Sequence, residues 1–141
     1  MKDILITPLE EFESASGTIL RGLRANERTF DKFGEVYFSS VAYRRPGDWK
    51  CHAQMTMNLI VPVGLIEFVF AKDAKGKEFQ KERIGSGRFA RLTVPPGWWF
   101  NFIGLSPNVN LLVNVANSIH DPIEIQRKPK EEIFFDWKSI V

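Results

Sequence analysis

The sequence predicts an all-β fold in a single domain that spans residues 1–141. Short runs rich in aromatic and β-branched residues alternate with turn signals, whereas segments with a helical period are scarce. A chain of this length buries a full hydrophobic core without disulfides. There is no internal repeat, low-complexity tract or linker, so a second domain is not needed.

Turn residues divide the chain into successive strands. Pro46 and Gly47 end the first long strand, and Gly64 joins two apolar strands into a hairpin. Pro62 lacks the N–H that a sheet ladder needs, so it belongs at a bulge or at a strand end. We expect strands over residues 35–43, 55–63, 65–71, 79–84, 89–94, 98–102 and 111–117.

Four aromatic residues occupy positions 98–102, directly after two prolines and a glycine. Successive side chains of a strand face opposite ways, so one set should face the interior and the other a sheet or subunit contact. The strand over 111–117 begins with a continuous apolar run, which indicates burial on both faces. The apolar tail, residues 133–137, is expected to pack back on the domain or on a second subunit.

Composition excludes several classes of protein. Nineteen basic and seventeen acidic residues leave a net charge of +2, too small to indicate a nucleic-acid partner. No apolar run approaches the length of a membrane span. One cysteine, Cys51, cannot form an internal disulfide, and the N-terminal residues lack the apolar stretch of a secretion signal. We therefore expect a cytoplasmic protein without a nucleic-acid or membrane partner.

The two histidines, His52 and His120, carry most of the functional information. They lie in segments 49–54 and 117–122, which we interpret as opposite walls of one pocket. Imidazole changes charge near neutral pH, so a converging pair would serve as acid and base or as metal ligands. The alternative is two unrelated surface or half-buried histidines.

The order of these signals resembles the dTDP-4-dehydrorhamnose 3,5-epimerase family and its shorter relatives. The resemblance covers roughly residues 16–137 and implies an RmlC-like cupin domain, a β-barrel or jelly roll. It also implies a homodimer that acts without metal or cofactor on a nucleotide-linked 4-keto sugar. The motifs that carry it are Val61-Pro62-Val63-Gly64, Val94-Pro95-Pro96-Gly97 with the following residues through Ser106, the segment 111–122 and Phe134-Phe135-Asp136-Trp137.

The resemblance assigns roles unevenly. His52 matches the family's general base, and Lys50 lies near an arginine that usually precedes that base. His120 stands where the family has a tyrosine that acts as general acid. Met57 stands near the place of a family lysine, and Asn101 replaces a family histidine. The longer family members carry a C-terminal aspartate that pairs with the base, and we expect no counterpart here.

The chemistry of a 4-keto sugar explains how two histidines would suffice. The carbonyl acidifies the protons on carbons 3 and 5, so a base forms an enolate and an acid reprotonates the opposite face. We expect His52 as the base and His120 as the acid, with Lys50 or Asn58 beside the enolate oxygen. The substrate-binding residues we expect are Arg21, Arg24, Lys50, Asn58, Trp99 and Asn101.

Arg21 and Arg24 are included because Arg21-Gly22 resembles the family's Arg-Gly element, whose arginine contacts the diphosphate, often across the dimer interface. The planar guanidinium suits phosphate oxygens because it binds two of them at once. The alternative is a plain solvated face of arginines.

The sequence therefore predicts a metal-independent epimerase or keto isomerase of a nucleotide-linked, dTDP-type 4-keto-6-deoxy sugar, within deoxysugar and polysaccharide biosynthesis. A metal-dependent cupin is less favoured, because it needs two histidines in one short motif and a third later in the chain. A non-catalytic cupin that binds a sugar nucleotide, or that serves as a structural partner in the same pathway, stays open because several family residues are replaced.

Overall fold

Twelve β-strands and one short 3-10 helix form the part of the chain that the computed structural model describes, residues 1–140. No helix within those residues is long and apolar enough to cross a membrane. The strands are β1 (Leu5–Pro8), β2 (Glu11–Ser14), β3 (Gly17–Leu20), β4 (Glu35–Ser40), β5 (Trp49–His52), β6 (Met57–Val63), β7 (Leu65–Ala71), β8 (Phe79–Gly85), β9 (Ala90–Val94), β10 (Trp99–Gly104), β11 (Leu111–Ala116) and β12 (Ile125–Lys128), and the 3-10 helix is Trp137–Ile140.

Ten of these strands form two antiparallel sheets. The first sheet has the order β1-β9-β6-β11-β4 and the second has the order β12-β5-β10-β7-β8, while β2 and β3 form a separate hairpin. The two sheets face each other across a shared core, which is the arrangement of a cupin-type barrel or jelly roll. The all-β fold class predicted from the sequence is confirmed.

Side chains that alternate along the strands build the core between the sheets. Leu59 and Leu92 from the first sheet pack with Phe68 and Phe70 from the second, and all four are buried. The aromatic run of β10 divides as expected, because Phe100 joins this core whereas its neighbours in sequence face the other side.

The C-terminal tail covers the outer face of the second sheet. Ile133 and Ile140 are buried there against Trp49 and Trp99, and the Trp49 indole N–H donates a hydrogen bond to the Ile133 carbonyl (3.1 Å). The expectation that the tail packs back on the domain is thus confirmed. Burial of each large apolar side chain contributes roughly 1.5–3 kcal/mol to the free energy of folding. Because the tail packs on Trp49, it stabilises the position of β5.

The turn between β6 and β7 follows the chemistry of its residues, but the expectation that it closes a hairpin was wrong, because β6 pairs with β9 and β11 in the first sheet and β7 pairs with β8 and β10 in the second. The register between β6 and β11 shifts by one residue beside Pro62, which confirms that this proline lies at a bulge. Gly64 adopts φ +85°, and a Cβ at this position would lie 2.2 Å from the Val109 carbonyl oxygen. Only glycine therefore suits the turn.

Two further features differ from the sequence-based expectations. Strands β1, β2, β3, β5 and β12 were not foreseen, because each has only four residues and shows little periodicity. Strand β11 is buried on one face only, and Leu111, Val113 and Val115 on its other face are partly exposed. The expectation that both faces of β11 are buried was wrong, because nothing within residues 1–140 covers that part of the first sheet.

Candidate active site

A cavity of about 380 Å³ lies between the two sheets. Strands β4, β6 and β11 form one wall, and β5, β10 and β12 form the other, so the two segments that carry the histidines line the same space. A volume of this size suits a small-molecule ligand. The lining residues are Glu35, Tyr37, Ser39, Lys50, His52, Met57, Leu59, Phe100, Phe102, Leu112, Asn114, His120, Ile125 and Arg127.

The alternation of β5 places His52 in this cavity. Trp49 and Cys51 face the outer cluster under the tail, so Lys50 and His52 face the inside. His52 is only 4% exposed, and its ring stacks on Phe100 with 5.8 Å between the ring centroids. The imidazole is therefore held in one orientation by packing.

A carboxylate completes this arrangement. His52 Nδ1–H donates a hydrogen bond to Glu124 Oε1 (2.5 Å), and both side chains are buried. Glu124 Oε2 accepts hydrogen bonds from the backbone N–H groups of Gln54 (2.9 Å) and Met55 (3.4 Å). The carboxylate thus holds Nδ1 in its protonated form, and Nε2 is the ring nitrogen left free to accept a proton.

The ionised state of Glu124 follows from these contacts. Burial raises the pKa of Glu124, but the N–H of Gln54, the hydrogen bond and charge of His52 and the N–H of Met55 together lower it below its ordinary value. The expectation that the base has no carboxylate partner was wrong. Glu124 takes this place, from the loop that precedes β12.

Tyr37 lies on the opposite wall, on β4. Its hydroxyl accepts a hydrogen bond from Asn114 Nδ2 (2.9 Å) and lies 3.6 Å from the sulfur of Met55. A thioether is a weak acceptor, so the hydroxyl proton stays available to a ligand. Burial raises the pKa of Tyr37; the Asn114 hydrogen bond opposes this shift, and the charges of Glu35 and Glu124 add to it. The Tyr37 hydroxyl is therefore protonated at neutral pH.

His120 lines the same cavity from the loop after β11, but it is exposed. Its backbone N–H donates a hydrogen bond to the Glu35 carboxylate, which ties this loop to β4. The neighbouring Ser118 backbone lies so close to Gly34 that a Cβ on that glycine would be 2.2 Å from the Ser118 nitrogen. The two histidines thus share one cavity, with His52 inside and His120 near its opening.

Two cations lie on the same wall as His52. Lys50 and Arg127 occupy directly opposed positions on β5 and β12, and both line the cavity. Burial lowers the pKa of Lys50, the Arg127 charge lowers it further, and Asp48 acts in the opposite direction. Met57, near which the family has a lysine, lines the cavity as an apolar residue.

Of the six expected substrate-binding residues only Lys50 lines the cavity, and three of the other five lie on strands that form its walls. Asn58 Oδ1 accepts a hydrogen bond from the Thr93 hydroxyl (2.6 Å), and Asn101 Nδ2 donates one to the Gly47 carbonyl (2.7 Å). Trp99 belongs to the outer cluster under the C-terminal tail. Strand alternation is the reason, because each side chain lies on the face of its strand opposite to the cavity-lining neighbours.

Arg21 and Arg24 lie in a separate pocket of about 330 Å³, the arginine pocket, together with Arg28 and Arg91. Arg91 alternates with the core residue Leu92 on β9, so this pocket lies on the outer face of the first sheet. The sheet therefore separates Arg21 and Arg24 from the cavity of their own chain.

The sequence analysis missed two polar residues that line the cavity, Tyr37 and Arg127, and it missed Glu124, the hydrogen-bond partner of His52. The signal for Tyr37 was present, because Glu35, Tyr37 and Ser39 alternate with Val36 and Phe38. From the sequence alone, the apolar residues Val36 and Phe38 are expected to face the core, whereas in this fold they face outward. Among residues 1–140, no cluster of three histidine, cysteine or acidic side chains has a metal-binding arrangement.

No protein-family model matches this sequence, and a comparison with curated protein sequences likewise finds no match. Solved structures do match. A dTDP sugar isomerase from Desulfovibrio desulfuricans G20 shares 30% sequence identity, with a TM-score of 0.87 over 96% of this chain and 90% of that one.

Two more distant structures share the fold. A dTDP-4-dehydrorhamnose 3,5-epimerase from Sulfolobus tokodaii is 15% identical, with a TM-score of 0.79 over 94% of this chain and 80% of that one. A mutant of the 3,4-ketoisomerase QdtA from Thermoanaerobacterium thermosaccharolyticum, in complex with TDP-4-keto-6-deoxyglucose, is 13% identical, with a TM-score of 0.76 over 94% and 93% of the two chains.

Proposed function

This chain belongs to the dTDP-4-dehydrorhamnose 3,5-epimerase family with its dTDP-sugar isomerase relatives, and we propose that it is a metal-independent epimerase or keto isomerase of a dTDP-linked 4-keto-6-deoxy sugar. The observation that carries the proposal is the buried His52–Glu124 pair in a cavity of suitable size. An imidazole fixed by a carboxylate on one nitrogen is a general base on the other.

The reaction begins with proton abstraction. His52 Nε2 takes the proton from the carbon next to the sugar carbonyl, and the electron pair of that C–H bond forms the C=C bond of an enolate. The carbonyl oxygen gains the negative charge. Lys50 is the cation on the same wall, two positions before His52, and stabilises that oxygen. Asn58, the other residue considered for this role, hydrogen-bonds elsewhere.

Reprotonation completes the reaction. Tyr37 lies across the cavity from His52 with an available hydroxyl proton, so we assign it the role of acid on the opposite face. His120, the acid expected from the resemblance, lies at the exposed opening and is the second candidate for the same step. Transfer to the opposite face of the same carbon gives an epimer. Protonation of the former carbonyl carbon, with the proton of the hydroxyl on the neighbouring carbon moving to the former carbonyl oxygen, gives a keto isomer.

The decisive experiment measures solvent deuterium incorporation into TDP-4-keto-6-deoxyglucose. The wild-type protein should exchange the proton next to the carbonyl, and His52→Ala should not. NMR of the product identifies the carbon involved and separates epimerisation from keto isomerisation. Lack of exchange above background in the wild type would contradict proton abstraction from this substrate.

A non-catalytic protein that binds a sugar nucleotide is the second candidate, favoured by the apolar Met57 in the cavity wall. It predicts that the wild type binds TDP but exchanges no deuterium. In either case we place the protein in deoxysugar and polysaccharide biosynthesis in the cytoplasm, where its single cysteine stays reduced.

We also propose that the protein is a homodimer. Val36 and Phe38 on β4 are exposed, Phe38 to 66%, and they lie beside Val113 and Val115 of β11 on the outer face of the first sheet. Such a contiguous apolar face is typical of an interface.

Light scattering after size-exclusion chromatography tests the dimer. Phe38→Asp should give monomers, whereas Phe134→Asp changes an apolar residue that is 80% exposed on the tail and should leave the mass unchanged. A monomeric wild type would contradict the proposal.

A further inference from the structure

We propose that Arg127 forms an anion subsite at the opening of the cavity, beside Lys50, and that Arg127 holds the diphosphate of the nucleotide sugar while Lys50 serves the carbonyl oxygen of the sugar. The inference rests on the proposed function for the identity of its ligand. Its physical basis is independent, since it depends on two unneutralised positive charges that the fold holds together.

The register of β5 and β12 places two cations side by side. Lys50 and Arg127 are register partners on antiparallel β5 and β12, and both side chains face the cavity. Directly opposed residues have Cβ atoms about 5 Å apart, a spacing at which like charges destabilise a sheet. Neither side chain forms a salt bridge within residues 1–140, where the ion pairs all involve other cations. A bound anion removes this repulsion.

The arginine pocket differs from this pair of cations in its salt bridges. Arg21 pairs with Glu10 (3.6 Å), Arg24 pairs with Glu27 (3.5 Å), and Arg91 also contacts the Glu27 carboxylate. These arginines therefore have carboxylate partners already. Lys50 and Arg127, the two cations that line the cavity wall beside His52, have no such partner within residues 1–140.

The strand register also fixes the position of Arg127 relative to His52. Two residues along a strand span about 7 Å, so Arg127 lies about one sugar ring along β12 from Ile125, the register partner of His52. Arg127 is exposed and His52 is buried. A nucleotide sugar with its diphosphate at Arg127 therefore has its sugar ring at His52 and its nucleoside outside the cavity.

Arginine suits this position chemically. Its planar guanidinium donates two parallel hydrogen bonds to phosphate oxygens and stays charged at any relevant pH. Because Arg127 binds the non-reacting part of the substrate, its loss should weaken binding more than it slows the chemical step.

Isothermal titration calorimetry with TDP, thymidine and inorganic pyrophosphate tests the subsite. Arg127→Gln should weaken TDP binding roughly 10- to 100-fold and leave thymidine binding unchanged, because one charge-assisted phosphate contact is lost. Arg127→Lys should retain part of the affinity. Lys75→Gln removes a charge from an exposed loop and is the matched control. Arg127 is exposed, so its substitution should not alter the fold, which a melting curve verifies.

Unchanged TDP affinity in Arg127→Gln would overturn the proposal, and so would an equal loss of thymidine and TDP binding. If Arg24→Gln weakens TDP binding and Arg127→Gln does not, the diphosphate belongs to the arginine pocket instead. Failure of the wild type to bind TDP or pyrophosphate also overturns it. Deuterium exchange tests the proposed reaction separately, so TDP binding through Arg127 without exchange retains this inference and rejects the reaction.

Discussion

Replacement of Glu124 by glutamine tests the role of the carboxylate with almost no change in volume. Three N–H donors converge on the Glu124 carboxylate, from His52, Gln54 and Met55. Glutamine has only one acceptor oxygen. If that oxygen serves the two backbone N–H groups, the amide NH₂ faces His52 Nδ1 and moves the ring proton to Nε2.

The expected effect on activity follows from this tautomer change. A base that carries its proton on Nε2 cannot accept one from the sugar, so the rate of deuterium exchange should fall by about 10²- to 10⁴-fold. The pH profile should change as well, which a purely structural role of Glu124 does not predict. The assay is NMR-detected exchange with TDP-4-keto-6-deoxyglucose over a range of pH.

Stability gives a second readout. The pKa of Glu124 is lower in the folded protein than in the unfolded chain, so the ionised carboxylate stabilises the fold above its unfolded pKa. This contribution is lost as the pH falls through the folded pKa. Glu124→Gln should therefore lower the free energy of unfolding by about 1.5–3 kcal/mol at neutral pH, and by less in acid.

Urea denaturation at several pH values measures this difference. Glu132→Gln is the matched control, because Glu132 pairs with Lys128 (3.3 Å) on the surface and should contribute little. An exchange rate like that of the wild type, or a stability loss that is independent of pH, would refute the assigned role of Glu124.

Further substitutions test the other roles. Tyr37→Phe should lower the exchange or product-formation rate by about 10²- to 10⁴-fold, and His120→Ala should lower it much less; the reverse order would make His120 the acid. Lys50→Met should lower kcat by about 10²- to 10³-fold with little change in KM, and an unchanged kcat would exclude Lys50 as the enolate's cation. Ile133→Ala should reduce the free energy of unfolding by about 2–5 kcal/mol in urea, whereas Phe134→Ala at an exposed position should have almost no effect.

Much of the fold was accessible from the sequence because its signals are local. The turn at Gly64, the proline bulge at Pro62 and the alternation of the 98–102 run each depend on a few neighbouring residues, and the structure confirms all three. The hairpin expected at Gly64 was wrong, because strand pairing depends on residues far apart in the sequence. The five strands of four residues were not accessible, because four residues hold too little periodicity to distinguish a strand from a loop.

The candidate site was only partly accessible. The placement of His52 and His120 on one cavity was anticipated through family resemblance, whereas Arg21 and Arg24 were assigned to that site without knowledge of the intervening sheet. Asn58 has the hydrogen-bonding side chain expected beside the enolate oxygen, but it lies on the face of β6 that points away from the cavity.

The sequence by itself therefore determined the all-β class, the turns and the longer strands, all of which follow from short-range steric preferences and a period of two. The tertiary structure alone decided which face of β4 is inside, and it alone paired His52 with Glu124, 72 positions later. Alternation identifies two faces of a strand but not the one that meets the opposite sheet. That choice, and with it the site, depends on how all the strands pack together.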